Sequence, residues 1–575
     1  MWSQNISSLL AVCPHNGSYF TFSIELTARY RSQGYHAVRH HHRFGGFSHT
    51  PYVATWNVWW HPQRPFNEEH PGTEGRGQGG GSISKAWNIL YHLGGNGPWV
   101  EKVDGVVQKG IAPPLGCKIE QVHLMSRHAE RYPTKKAGIR LMKVVNRIRS
   151  AKTPLKGDLA FANTWKYFTT DPKLQLEHLT TTGPFAGTLG AFTTGVRLRT
   201  RYAHLFHSSP PQETHPSNTS KTRFWSCDCP RVADTARYFA LGFFGHDWRT
   251  RASHQIIPEE VSRGADTLTP GDTCLGYLWD GEKGHGYGWA MLDVYRHTYI
   301  PAIMERLAKQ NPEVQWEEEE IWAMQELCGF ETTVRGASKW CDVFTRDEWL
   351  QFEYARDVIH YYRAGPGNPY GAAMGWLYLN ATTNLLLQGP DAGTMFFSFV
   401  HDGDIVPLFA ALDLFPDNEH LPVTHIPPNR NWRTSQSVPM GARVIFELLN
   451  CGDESDYDSA GAGNKPHHFV RVNVNDGIVA VPGCDDGPGR SCELGRWAER
   501  VRKRGEDVGR FGDVCGVEGD ERGISFLHQR WDGERERERE EQGEGEREDE
   551  CHNLSRTPFS RGELIKAKGR TLINN

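Results

Sequence analysis

Three stretches of the chain repeat one layout: an apolar run, an abrupt polar turn, then apolar residues three and four apart. In QVHLMSRHAERYPT (121–134), Val122 and Leu124 alternate with polar neighbours, which reads as a strand. Pro133 stops that strand from continuing as a ladder. A helix pattern follows, with Ile139, Leu141, Val144, Val145 and Ile148 on one face. FWSCDCPRVADTARYFALGFFG (224–245) repeats the layout, with Arg231 at the turn. TMFFSFVHDGDIVPLFAALDLF (394–415) does so again: residues 395–400 form a nearly continuous apolar run, as in a buried central strand, which breaks at His401, Asp402, Gly403 and Asp404. Strand, turn and helix in this order predict an α/β fold, with ligands outside the carboxyl ends of the strands.

Other segments fill in the architecture. Residues 189–206 form a second amphipathic segment, in which Arg197, Arg199 and Arg201 read as solvated. From about 246 to 365 helix formers dominate, which predicts a helical insertion, with Glu317, Glu318, Glu319 and Glu320 on a solvated face. Residues 365–387 read as a turn and a helix with Gly371 and Gly375 on one side, suited to close packing. Residues 438–449 and 467–483 read as strands of an antiparallel edge. The expected fold is a mixed sheet flanked by helices, with a smaller inserted helical domain.

The ends differ in character. Residues 1–84 are rich in His, Gly, Arg and Pro without a sustained period, and 75–82 read as a flexible linker. The RHHHR run at 39–43 reads as a solvated basic tract rather than a metal site. Gly94, Gly95 and Gly97 suit a turn more than a ligand loop. The expected catalytic region is 85–517, and 518–575 reads as a charged tail, low in complexity over 532–550.

Composition narrows the classes. Nineteen Trp, 27 Phe and 19 Tyr argue for a large core. A net charge of −5 offers no global basic field, so nucleic acid is not an expected partner. No apolar run approaches about 18 residues, so no membrane span is expected. Twelve Cys, with sequons at Asn5, Asn16, Asn218, Asn380 and Asn553, favour an extracellular protein, although the start is a weak signal peptide. Cys227 and Cys229 form a CxC, a weak metal signal without a second pair.

The three turns bring together Arg127, His128 and Arg131, then Arg231, then His401 and Asp402. Guanidiniums offer planar forks of donors to phosphate oxygens. They also favour a neutral, nucleophilic imidazole at His128. A carboxylic acid must protonate a leaving alcohol and later accept a proton from water; Asp402 is the candidate, with Asp404 the weaker alternative. This set suits phosphate monoester hydrolysis in acid.

At these residues the chain resembles the histidine acid phosphatases, of the fungal secreted acid phosphatase and phytase type. SRHAERYPT matches the RHGxRxP signature, with Ala129 in place of its Gly; FVHDGD matches the HD signature; CPRVADTARYFALGF is similar to the segment carrying a third phosphate-binding Arg. The resemblance implies His128 as nucleophile, Asp402 as proton donor, and Arg127, Arg131, Arg231 and His401 as phosphate ligands. It implies no metal and no cofactor. It also implies disulfides Cys117–Cys451, Cys274–Cys515, Cys328–Cys341 and Cys484–Cys492, leaving Cys227 and Cys229 over.

Small-molecule phosphate monoesters are the expected partners. Lys135 and Lys136 would favour a highly charged substrate such as phytate, but Glu130 inside the signature would oppose it. A broad acid phosphatase is therefore preferred, with phytase the alternative. More remote are a metal-dependent phosphohydrolase using His401, Asp402 and Asp404, a mutase of the same fold, and a non-enzymatic phosphate-binding protein.

Overall fold

A computed structural model describes residues 87–107, 110–207, 221–452, 467–517 and 523–529. The tracts at 39–43, 75–82 and 532–550, Cys13, Cys551 and the sequons other than Asn380 lie outside these residues. The strands are β1 (Lys118–Arg127), β2 (Thr222–Cys227), β3 (Ala252–Ile257), β4 (Met395–Val400), β5 (Arg443–Asn450), β6 (His468–Val474), β7 (Gly477–Val479) and β8 (Cys492–Glu493). The principal helices are α1 (Lys135–Arg149), α2 (Gly187–Arg201), α3 (Pro230–Phe244), α4 (Tyr287–Gln310), α5 (Glu318–Arg335), α6 (Arg346–Arg363), α7 (Gly371–Gln388), α8 (Asp402–Leu412) and α9 (Leu494–Val508).

The expected mixed sheet is present. Its order is β3-β2-β4-β1-β5-β6-β7, with β8 on β6. The half from β3 to β1 is parallel, and the half from β5 onward is antiparallel. β4 lies at the centre and is buried throughout. Its side chains alternate between faces, as the pleat requires. Met395, Phe397 and Phe399 pack in one core with Phe239 and Phe243 of α3, while Phe396 and Val400 join the other with Leu377 and Leu408.

Local chemistry sets the helix starts. Thr134 caps α1 by accepting from Ala137 N–H at 3.3 Å. Pro230 opens α3 at the first helical position, where its missing N–H costs nothing. Thr345 and Glu348 form a reciprocal capping box on α6. Gly375 lets α7 lie directly on α8: a Cβ there would run into the carbonyl of Pro407.

Several sequence expectations need correction. The region 246–365 is mainly helical, as expected, but Ala252–Ile257 within it forms the edge strand β3, paired parallel with β2. The arginines of α2 are not solvated. Arg201 reaches Asp476 at 2.8 Å, and Asp476 also holds Arg443 at 2.7 Å. Arg199 stacks over Phe206 at 3.7 Å, and Arg197 lies over Trp99. The glutamates before and within α5 are engaged as well: Glu320 is buried and pairs with Arg147 at 2.9 Å, and Glu319 pairs with Lys143. Their partners sit on α1, about 175 residues away in sequence, so no local pattern could show them. The packed body also extends beyond 517: Gln529 donates to Met395 O at the start of β4, and Ser525 bonds Asp266.

The four cysteine pairs implied by the resemblance are joined: Cys117–Cys451, Cys274–Cys515, Cys328–Cys341 and Cys484–Cys492. Cys227 and Cys229 are free.

Candidate active site

The register of the parallel half builds the site. Arg127, the last residue of β1, lies beside Val400, the last residue of β4. The next residue on each strand is a histidine. His128 N–H donates to Val400 O at 2.9 Å, and the rings of His128 and His401 meet edge to face, 5.7 Å between centroids. β2 runs alongside β4, and its following turn delivers Arg231 in the first turn of α3. All three sequence-read turns therefore open at one edge of the sheet.

The tautomer of His128 follows from its contacts. Its Nδ1 lies 2.9 Å from Ala129 O, a carbonyl that can only accept, so Nδ1 carries the proton. Nε2 is then a lone pair, and the Arg131 Nε–H points at it from 3.3 Å. Burial, followed by Arg127, Arg131 and Arg231, holds the imidazole neutral well below the usual histidine range.

Arg127 is anchored from two sides. Its Nη1 donates to Gly95 O at 2.8 Å and to Val438 O at 2.6 Å, and its Nη2 pairs with Asp402 at 2.9 Å. The glycines at 94–97 do form a tight turn, as expected, but a turn that abuts the site. Gly95 is closely packed: a Cβ there would lie 3.2 Å from Arg127 Nη1 and 3.3 Å from His360 Nε2, so either side chain would have to give way. Arg231 Nη2 lies 3.4 Å from His401 Nδ1. His401 Nε2 faces Glu259 Oε1 at 2.8 Å. The carboxylate of Glu259 falls to about 2, because its hydrogen bond and charge interaction with His401 outweigh the cost of burial.

Asp402 begins α8, where the helix dipole favours negative charge. Despite burial, Arg127, His360 and Arg363 hold its carboxyl well below the usual range. Asp404 is engaged elsewhere: its Oδ2 accepts the His401 backbone N–H at 2.9 Å. Burial, then neighbouring Asp272, pushes the Asp404 acid well up.

Residues 118–475 match the histidine phosphatase superfamily (branch 2) family model. The chain belongs to that superfamily. A phytase of Candida albicans is 33% identical over 436 residues, covering 75% of this chain and 87% of its own. An acid phosphatase of Komagataella pastoris is 33% identical over 443 residues, with the same coverage. The crystal structure of the phytase from D. castellii superposes with a TM-score of 0.68 at 30% identity, covering 76% of this chain and 90% of that one. The chain is a histidine acid phosphatase, a hydrolase of phosphate monoesters.

Within this histidine phosphatase, several residues at the site were not singled out from sequence. Arg356, His360 and Arg363 lie on one face of α6 at i, i+4 and i+7. Arg363 Nη1 comes within 3.8 Å of Asp402 Oδ1. Arg356 Nη2 lies 3.4 Å from His360 Nε2. Burial drives the His360 imidazole down to about 3. Their helical spacing was visible in ARDVIHYYR, but nothing local says that this face meets Asp402. Thr235, on α3, accepts the Ala129 N–H at 2.9 Å and donates to Arg231 O at 2.7 Å. One hydroxyl thus ties the His128 loop to the helix that carries Arg231.

Glu130 departs from its sequence reading as an acidic wall of the pocket. Its side chain is buried, Oε1 accepts the Trp99 N–H at 3.0 Å, and Oε2 packs beside Gly190 of α2. Burial raises its acid to about 7, so it is uncharged in acid and brings no anion to the site.

Proposed function

We propose that this histidine phosphatase works through a phosphohistidine on His128. The observation that carries the reading is the lone pair on His128 Nε2, fixed by the Nδ1 contact to Ala129 O and surrounded by guanidiniums. Arg127, Arg131, Arg231 and His401 hold the phosphoryl group. Nε2 attacks phosphorus, the P–O ester bond breaks, and the leaving oxygen takes a proton from Asp402. In the second step the Asp402 carboxylate removes a proton from water, the water oxygen attacks phosphorus, and the P–N bond breaks. His128 returns neutral and Asp402 protonated.

Asp402 must hold a proton at the start, although Arg127 and Arg363 favour its anion. A bound phosphate monoanion or dianion counters this. It draws on the same guanidiniums and places like charge beside the carboxyl, and both effects raise the acid. An acidic working range follows. The buried carboxyl of Asp404, bound to the His401 backbone, acts as a brace for the turn in this reading.

For substrate, the preferred reading is broad turnover of small phosphate monoesters. Phytate is the second reading, favoured by Arg356 and Arg363 near the site and by an uncharged Glu130. The four disulfides support an extracellular location, because such bonds persist in oxidising compartments. The region 85–517, extended to Gln529, would form the catalytic body, with the helices of its insertion over the site.

The test is phosphate release from p-nitrophenyl phosphate and from phytate between pH 2 and 8, with EDTA present. Wild type should turn over in acid and form an acid-labile, base-stable phosphoprotein. His128→Ala should do neither. Asp402→Asn should slow esters of alkyl alcohols more than p-nitrophenyl phosphate, whose leaving group needs little protonation. A His128→Ala protein that retains turnover, or EDTA-sensitive wild-type activity, would sink the reading. The ratio of the two rates decides between acid phosphatase and phytase.

A further inference from the structure

Behind His401 lies a group of side chains that the phosphatase reaction leaves partly unused. Cys227, the last residue of β2, is buried and outside every disulfide. Its Sγ lies 3.6 Å from His401 Nε2, and Glu259, just past β3, offers Oε1 to the same nitrogen at 2.8 Å. One ligand atom from each of the three lies within 4.8 Å of the other two; among the described residues this is the group of that kind. Zinc bonds of about 2.3 Å to sulfur and 2.0 Å to nitrogen put tetrahedral neighbours roughly 3.5 Å apart. Closing a span of up to 4.8 Å to that spacing takes a relative movement of about 1 Å. A thiolate, an imidazole and a carboxylate together suit zinc and its softer relative cadmium, not magnesium or calcium.

We propose that Cys227, Glu259 and His401 bind a thiophilic divalent cation, which takes Nε2 of the histidine and so weakens phosphate binding; the second half rests on the reading of His401 as a phosphate ligand. The exchange balances simply. The cation forms bonds to Sγ, Oε1 and Nε2, and the thiol proton, with any proton on Nε2, leaves to buffer. With Nε2 in the metal bond, His401 is a neutral imidazole. The bond holds the ring toward Cys227 and Glu259, and Nδ1, which lies 3.4 Å from Arg231 Nη2, shifts with it. In the reading above His401 and Arg231 are both phosphate ligands, so a displaced ring loses about one hydrogen bond to phosphate, and inorganic phosphate should bind roughly tenfold more weakly. The phosphohistidine cycle proposed above needs no cation, so the site would be an inhibitory one.

The experiment titrates the full chain with cadmium at neutral pH and reads the thiolate-to-cadmium charge-transfer absorption. Inhibition by inorganic phosphate is measured alongside. One cadmium per chain with that band, lost in Cys227→Ser, kept in Cys229→Ser and weakened in Glu259→Gln, is the expected result. No band in wild type, or a band that Cys229→Ser removes and Cys227→Ser keeps, would overturn the site. Circular dichroism of Cys227→Ser separates a missing ligand from a misfolded chain. A full band with unchanged phosphate inhibition would overturn the link to His401 and leave the phosphohistidine reading, which is tested at His128, untouched.

Discussion

Replacing Thr235 by Val tests how the His128 loop is held. The two side chains have nearly the same shape, so packing is preserved and only the hydroxyl goes. The hydroxyl accepts the Ala129 N–H at 2.9 Å and donates to Arg231 O at 2.7 Å. The second loss is mild, because that carbonyl keeps its place in the α3 ladder. The first is not, because Ala129 is 2% exposed and its N–H has no water to turn to. An orphaned buried donor costs about 1–3 kcal/mol. If the loop relieves this by rotating away, the loss falls on the transition state. At about 1.4 kcal/mol per tenfold, kcat/KM drops roughly 5- to 150-fold. The assay is p-nitrophenyl phosphate hydrolysis at the acid optimum, with inhibition by inorganic phosphate and a thermal melt in parallel. Thr235→Ser keeps the hydroxyl and should stay close to wild type. A Val variant within twofold of wild type in kcat/KM, or a Ser variant as impaired as Val, would refute the reasoning.

Two further outcomes are expected. Glu130 has an acid raised to about 7 in the fold against 4.5 in a free chain, so its contribution is complete below pH 4.5 and is lost as pH rises through 7. Chemical unfolding of Glu130→Gln should accordingly show a stability that falls less between pH 4.5 and 7 than wild type, by up to about 3 kcal/mol, and equal slopes would count against a neutral Glu130. Gly375→Ala places a Cβ on the Pro407 carbonyl and overpacks α7 against α8, at a cost of about 1–3 kcal/mol. Because α8 begins at Asp402, both the thermal midpoint and the turnover should drop, and an unchanged melt would show that the helices separate freely.

What could be read in advance was local. The β1 and β4 runs, the helices after them and the residues at their turns each show within about 15 positions of sequence, and the structure gathers them at one sheet edge. Edge strand β3 was hidden because ASHQII has too short an apolar pattern, and its partner β2 supplies the ladder. Arg201, Glu320 and Glu130 were misread for one reason: their surroundings come from distant segments, and a charged residue looks solvated until Asp476, Arg147 or the Trp99 N–H arrives. The face of α6 that meets Asp402 belongs to the same class. Thr235 sat inside the recognised segment, yet a Thr within a helix pattern carries no signal that its hydroxyl braces another loop.

The pairing of β1 with β4 joins parts of the chain made far apart in time. Val122 lies opposite Met395, and Cys117 is tied to Cys451 across 334 positions. During synthesis His128 emerges early, but its partner turn at His401 and the strand that closes β1 on its other side arrive far later. A nascent chain that stops before Met395 holds most of the helices and no assembled site. Such non-local closure is slow, and it exposes apolar strands to chaperones and to aggregation while it waits. It also means that phosphate esters inside the synthesising cell meet no active fragment: hydrolysis begins only once almost the whole body has been made.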